Sequence, residues 1–146
     1  MIVSKLMRPG CLSTKLHVKL GETQLVGKMV REFGQWHEVP EEALFVVKLS
    51  LDEVVTNIVT HSPKSPPGAR EILIRLSTED GEVSAEVEDD GGAFNPLNLP
   101  APDICASLQD RPAGGMGVHL VRSLMDRVDY RRIGRRNRFT MTKRVA

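Results

Sequence analysis

Residues 71–89, EILIRLSTEDGEVSAEVED, constrain the fold more than any other stretch. Two runs, EILIRLST (71–78) and EVSAEVED (82–89), alternate apolar and polar residues and are joined through Asp80-Gly81. Period-two alternation marks a half-buried strand, and Asp-Gly suits the tight turn whose central residues need positive φ. An antiparallel hairpin therefore stands near the middle of the chain, and other elements must cover its apolar face.

The flanking sequence supplies the cover. From Glu22 to about Trp36, Leu25, Val26, Met29, Val30 and Phe33 recur at helical spacing. Pro40 stands at the start of a second helix, with Glu41 and Glu42 in the first turn where the helix dipole favours acids. That helix runs to about His61 and is stopped by SPKSPPG. CLSTKLHVKL (11–20) reads as a further strand through Leu12, Leu16, Val18 and Leu20.

After Asp89 come a glycine turn, DDGGAFNP, and a Pro-rich irregular stretch from about Pro96 to Pro112. GGMGVHLVRSLMDRV then places Val118, Val121, Leu124, Met125 and Val128 on one helical face, and VDYRRI with RFTMTKRV closes the chain as a hairpin around Gly134. The order is strand, two helices, hairpin, loop, helix, hairpin. It predicts an α/β two-layer sandwich, with helices on one face of a mixed, mostly antiparallel sheet. At 146 residues the chain reads as one domain, 1–146.

Composition narrows the function classes. Hydrophobic residues at 40% and charged residues at 27% are ordinary for a soluble globular protein. A net charge of +1 counts against a general nucleic-acid binder, and 4% aromatics offer few platforms for stacked bases. The longest uninterrupted apolar run is Ala43–Val47, too short to span a membrane. Cys11 and Cys105 are too few for a disulfide framework, and MIVSKLMRPG lacks the apolar run of a signal peptide, so a cytoplasmic location is expected. Charge is unevenly spread: 79–103 holds eight acids and no Lys or Arg, while 127–144 holds eight bases and only Asp129 opposing them. That asymmetry marks either a partner surface or the charged edges of adjacent strands.

Helix 41–61 carries the chemistry. Leu44, Val47, Leu51, Val54, Val55 and Ile58 form its apolar stripe, and Glu41, Lys48 and Asp52 form a solvated ridge. Ser50, Glu53, Asn57 and His61 lie on a third line bordered by Val46 and Leu49, as one wall of an enclosed site would. Downstream, VEDDGGAFNP sets two carboxylates and Gly91-Gly92 at the end of a strand, where the backbone can approach a flat ligand and a fixed Asp can accept from an exocyclic amine. GGMGVHL opens a helix with Gly114, Gly115 and Gly117, a place where backbone N–H groups converge on an anion. It is neither a Walker-type loop nor a dinucleotide fingerprint, since no Gly-Lys-Ser/Thr follows and no strand precedes it.

Together, in this order, the three pieces resemble the Bergerat-type (GHKL) ATP-binding fold of histidine kinases, gyrase-type topoisomerases and anti-sigma kinases. D-E-x-x-x-N-x-x-x-H (52–61) is similar to the family's Asn box, D-D-G-G-A-F-N-P (89–96) to its first glycine box and G-G-M-G-V-H-L-V (114–121) to its second. Length, the short segment between the glycine boxes and the ending L-M-D-x-V-x-Y (124–130) resemble the small bacterial anti-sigma factor serine/threonine kinases.

The resemblance implies ATP and Mg²⁺ as cofactors, with Asn57 on the metal and Glu53 as catalytic general base. It implies nucleotide contacts at Asn57, Asp89 (on the adenine amine), Gly91, Gly92, Gly114, Gly115, Met116, Gly117 and Val118. It implies a kinase that phosphorylates an anti-sigma-factor antagonist, sequesters a sigma factor and forms a homodimer. The alternative is an ATP-binding, partner-sequestering module with little kinase activity. Ala93 stands where many members have Gly, and GRRNRFT replaces the Gly-x-Gly-Thr turn usual in histidine kinases. Arg111 is a candidate for the γ-phosphate, and His61 is read as structural or capping.

Overall fold

The structure, a computed structural model, describes residues 6–8, 10–17, 24–61, 71–98 and 115–145. Its elements are β1 (Leu6–Arg8), β2 (Cys11–His17), α1 (Gln24–His37), α2 (Glu41–His61), β3 (Glu71–Glu79), β4 (Glu82–Asp89), a 3₁₀ turn at Pro96–Asn98, α3 (Gly115–Leu124), β5 (Arg127–Ile133) and β6 (Arg136–Arg144). The six strands form one sheet in the order β1-β2-β3-β4-β6-β5, and every pairing is antiparallel. The two-layer expectation holds, and among the described strands the sheet is not mixed.

The central hairpin forms as its sequence requires. Glu79 faces Glu82, with Asp80 and Gly81 at φ of 52° and 75° between them. Both central residues at positive φ match the right-handed twist of the strands they join. Alternation then fixes the register: Ile72, Ile74 and Leu76 of β3 and Val83, Ala85 and Val87 of β4 are all buried on one face. Leu12 and Leu16 of β2 and Phe139 and Met141 of β6 extend that face on either side. α1 covers it with Val26, Met29, Val30 and Phe33, α2 with Val47, Leu51, Val54, Val55 and Ile58. Truncating any of these to Ala would remove about 2–5 kcal/mol of stability through lost burial and the cavity left behind.

Three expectations change. β1 was not foreseen; it pairs Arg8 with Cys11 across Gly10 at φ 76°, too short a strand to show periodicity. The last helix ends at Leu124 instead of continuing to Val128. Met125 is buried and Val128 packs on the core as expected, but Val128 does so from β5. Its spacing from Val121 fits a helix, yet Val128 and Tyr130 also alternate as a strand, and pairing with β6 wins. The Asp126 N–H donates to the Thr142 carbonyl (2.8 Å) at that bend. Finally, the charge asymmetry is satisfied inside the sheet. β4 lies beside β6, so Arg138 pairs with both Glu88 (2.6 Å) and Glu86 (3.5 Å), and Glu82 pairs with Arg127 of β5.

Val18, Leu20, Glu22, the SPKSPPG segment, Cys105, Arg111 and Gly114 lie outside the described residues. Among those described, no helix is long and apolar enough to cross a membrane.

Candidate functional site

α2 shows its three faces as the sequence sorts them. The ridge is solvated, with Lys48 Nζ 2.7 Å from Asp52 Oδ2. The apolar stripe is buried, with Leu44 partly so. On the third line Ser50 and Asn57 have no exposure at all. Ser50 Oγ and both amide atoms of Asn57 find no hydrogen-bond partner among the described residues. A polar group taken from water without a partner costs about 1–3 kcal/mol. Among the described residues the Asn57 amide gains no compensating hydrogen bond, although it sits where Leu or Val would. Glu53, one turn before it on the same face, is half-buried, and His61 ends the helix.

α3 meets α2 at Glu53. A Cβ built on Gly117 would collide with the Glu53 carboxylate, lying 2.7 Å from its Cδ. A side chain at 117 would have to push the Glu53 carboxylate aside, so the start of α3 lies directly against the helix that carries Asn57. Gly115 opens α3, Met116 follows it, and Val118 is buried at 2% exposure. His119, one residue on, has a buried Nε2 with no partner among the described residues. The sequence reading passed over it because a His within a helical run carries no spacing signal.

The first glycine turn lies at the end of β4. Asp89 is 4% exposed, and its Oδ1 accepts from the Gly91 N–H (2.9 Å) and from Asn137 Nδ2 (3.0 Å). Burial pushes the Asp89 carboxyl above the usual carboxylate range, while the Asn137 and Gly91 donors oppose that rise. The neighbouring carboxylate of Asp90 adds to it. Arg132 donates to the Gly91 carbonyl (2.7 Å), and Asn137 Nδ2 donates to that of Gly92 (2.8 Å), so both glycine carbonyls are anchored. Beside Asp89 is a small recess walled by Val54 and Ile58 of α2, Val87 and Phe139 of the sheet and Phe94 of the turn. The recess is apolar on its faces with one fixed carboxylate at its edge, and it is narrow: about 10 Å³ of free volume, room for no more than about one water.

The structure therefore brings Gly117 against Glu53 where α3 packs on α2, with Asn57 one turn beyond Glu53, and brings Asp89 to a recess that α2 also walls. Sequence reasoning missed Asn137, Tyr130 and Arg132, which hold the first glycine turn. A signal was available: in NRFTM (137–141), Asn137 is in phase with Phe139 and Met141, so a polar residue occupies the inward face.

The residues fit a magnesium ion in one respect. Among those described, no group of three or more His, Cys, Asp or Glu side chains could cage a metal. A single buried, unpartnered amide oxygen suits a hard cation that keeps its waters and takes its other ligands from phosphates.

Comparison with known proteins bears on the family and the fold. The profile described as histidine kinase-like ATPase domain matches residues 17–143. The serine/threonine-protein kinase BtrW of Bordetella bronchiseptica is 33% identical over 103 residues, covering 70% of this chain and 71% of that protein. The serine-protein kinase RsbW of Bacillus cereus is 32% identical over 84 residues, or 55% of this chain. The match spans 51% of that kinase, about half its length. Among solved structures, the RsbU and RsbW domains of Rv1364c from Mycobacterium tuberculosis superpose with a TM-score of 0.66 at 16% identity, over 92% of this chain and 32% of that one. A blue-light activated histidine kinase of Erythrobacter litoralis EL346 gives a TM-score of 0.55 at 20% identity, over 90% of this chain and 42% of that one. These last two likenesses concern the fold alone.

Proposed function

Because the chain belongs to the family of histidine kinase-like ATPase domains, we propose that it is an ATP-dependent serine/threonine protein kinase of the anti-sigma factor type. Its substrate in this reading is a Ser or Thr hydroxyl of an anti-sigma-factor antagonist, and it sequesters a sigma factor, acting as a homodimer in the cytoplasm.

One observation carries the site assignment: Asn57 is wholly buried with an amide that has no partner among the described residues, one turn from Glu53, which itself lies against Gly117. Asn57 would hold Mg²⁺ with the phosphates of ATP. The ion, when bound, supplies charge neutralisation on the phosphate oxygens. Glu53 accepts the proton of the attacking hydroxyl as that oxygen bonds to the γ-phosphorus and the bond to ADP breaks. Backbone N–H groups of Gly115 and Gly117 would bind the phosphates, with Gly114, Met116 and Val118 of the same sequence motif as further nucleotide contacts. Asp89 accepts from the adenine amine beside Gly91 and Gly92, with the narrow recess there widening to admit the ring, and α2 links the two ends.

Incubation with γ-labelled ATP, Mg²⁺ and an anti-sigma-factor antagonist, followed by phosphoamino-acid analysis, tests this reading. It predicts phosphoserine or phosphothreonine on the antagonist, lost in Glu53→Gln. Unimpaired transfer by Glu53→Gln would remove the base assignment. ATP binding without transfer under any metal condition would leave a sequestering module in place of a kinase.

A further inference from the structure

We propose that Asn137 is the positioning residue through which Asp89 selects adenine over purines that carry a carbonyl at the same place. The assignment deepens the ATP reading above and rests on it.

Asn137 sits on β6 directly opposite Asp89 of β4 and is 5% exposed among apolar neighbours. A buried amide in that phase is tolerated only if its polar atoms are satisfied, and here five hydrogen bonds do so. Nδ2 donates to Asp89 Oδ1 (3.0 Å) and to the Gly92 carbonyl (2.8 Å). Oδ1 accepts from the Tyr130 hydroxyl, from Arg132 (3.2 Å) and from the Phe94 N–H (3.3 Å). The orientation of the amide is not arbitrary. A backbone carbonyl can only accept, and a backbone N–H and a guanidinium can only donate. Gly92, Phe94 and Arg132 therefore fix which end of Asn137 is nitrogen, and the nitrogen must point at Asp89.

The consequence falls on Asp89. Its Oδ1 takes both internal donors, the Gly91 N–H and Asn137 Nδ2, so Oδ2 is the oxygen left for a ligand. Two donors on one oxygen favour the ionised carboxylate against its burial. An ionised carboxylate is an acceptor only. It rewards the exocyclic amine of adenine and repels the carbonyl that hypoxanthine has in its place. A carboxyl that has lost the Asn137 donor holds its proton more readily, can donate as well as accept, and tells the two bases apart poorly. Asn137 touches no reacting atom; it acts by holding Asp89 in one orientation and one charge state.

The test is the ratio of dissociation constants for Mg-ATP and Mg-ITP, measured by calorimetry on the full chain. Two nucleotides with the same phosphates make the ratio insensitive to general loosening of the fold. Wild type should prefer ATP by roughly 10- to 100-fold, the value of one well-formed, charge-assisted hydrogen bond against an unmatched carbonyl. Asn137→Asp keeps shape and acceptor side but removes the donor to Asp89, and should bring the ratio to within about threefold of unity, chiefly by weakening ATP. Tyr130→Phe removes only the hydroxyl donor to Oδ1, keeps the apolar packing, and should give an intermediate ratio. A wild-type ratio in both variants overturns the assignment. Equal affinity of wild type for ATP and ITP overturns it too while leaving the ATP reading intact, whereas binding of neither nucleotide overturns both.

Discussion

Asn57 and Asn137 are the same side chain at nearly the same depth, 0% and 5% exposed, and the fold treats them in opposite ways. Asn137 makes five hydrogen bonds and ties the first glycine turn to the sheet. Asn57 makes none among the described residues. A chain selected for stability alone would place an apolar residue at 57, since its neighbours on α2 are Val54, Val55 and Ile58. In the ATP reading proposed above, the contrast sets the adenine end, whose Asn137 is paired within the chain, against the phosphate end, whose Asn57 amide finds no partner among the described residues.

The largest effect is expected at Asn57. Asn57→Leu should reduce Mg²⁺-dependent transfer by at least about 100-fold, because the metal loses its protein ligand. The same change should raise the stability of the ligand-free protein by about 1–3 kcal/mol in urea unfolding, by removing a buried unsatisfied amide. Next comes Asn137→Leu, which should lower stability by about 2–4 kcal/mol, since it strands the Gly92 carbonyl, the Phe94 N–H and one Asp89 acceptor. One substitution at two buried asparagines would thus change stability in opposite directions. Destabilisation of both would erase the distinction drawn here.

Asp89→Asn sharpens the contrast through pH. The Asp89 pKa is raised in the fold, so its ionisation weighs against the native state. The sign follows: the native state holds this proton more tightly than the unfolded chain, so this group's contribution is fully present below about pH 4 and is lost as pH rises through the folded pKa. Asp89→Asn should therefore gain on wild type as pH rises from about 4 to 7, read as the difference in unfolding free energy across that interval. A difference that is flat or shrinks would contradict the burial of an ionised carboxylate there. The smallest effect belongs to the solvated ridge, where Lys48→Ala should change stability by less than about 0.5 kcal/mol, as exposed i,i+4 pairs do.

Much of this was legible in the sequence, and for identifiable reasons. The 71–89 hairpin was readable because alternation and an Asp-Gly turn are local signals that agree. The three faces of α2 were readable because one period governs 21 residues. The end of α3 was not, because Val128 satisfies a helical and a strand period at once and only pairing with β6 decides. Asn57 was visible as part of a polar row, but its lack of partners is a property of packing. Asn137 was hidden for a related reason: its partner is 48 residues away, and the β4–β6 pairing that joins them skips β5. Its inward phase on β6 was the clue that local reading could have used.

The account stands most directly on a calorimetric titration of ATP into wild type and Asn57→Leu, each with Mg²⁺ and with a chelator. It predicts that Mg²⁺ tightens ATP binding to wild type, and that Asn57→Leu binds ATP with an affinity Mg²⁺ no longer changes. Equal Mg²⁺ dependence in the two proteins, or no binding of ATP to wild type, would contradict it.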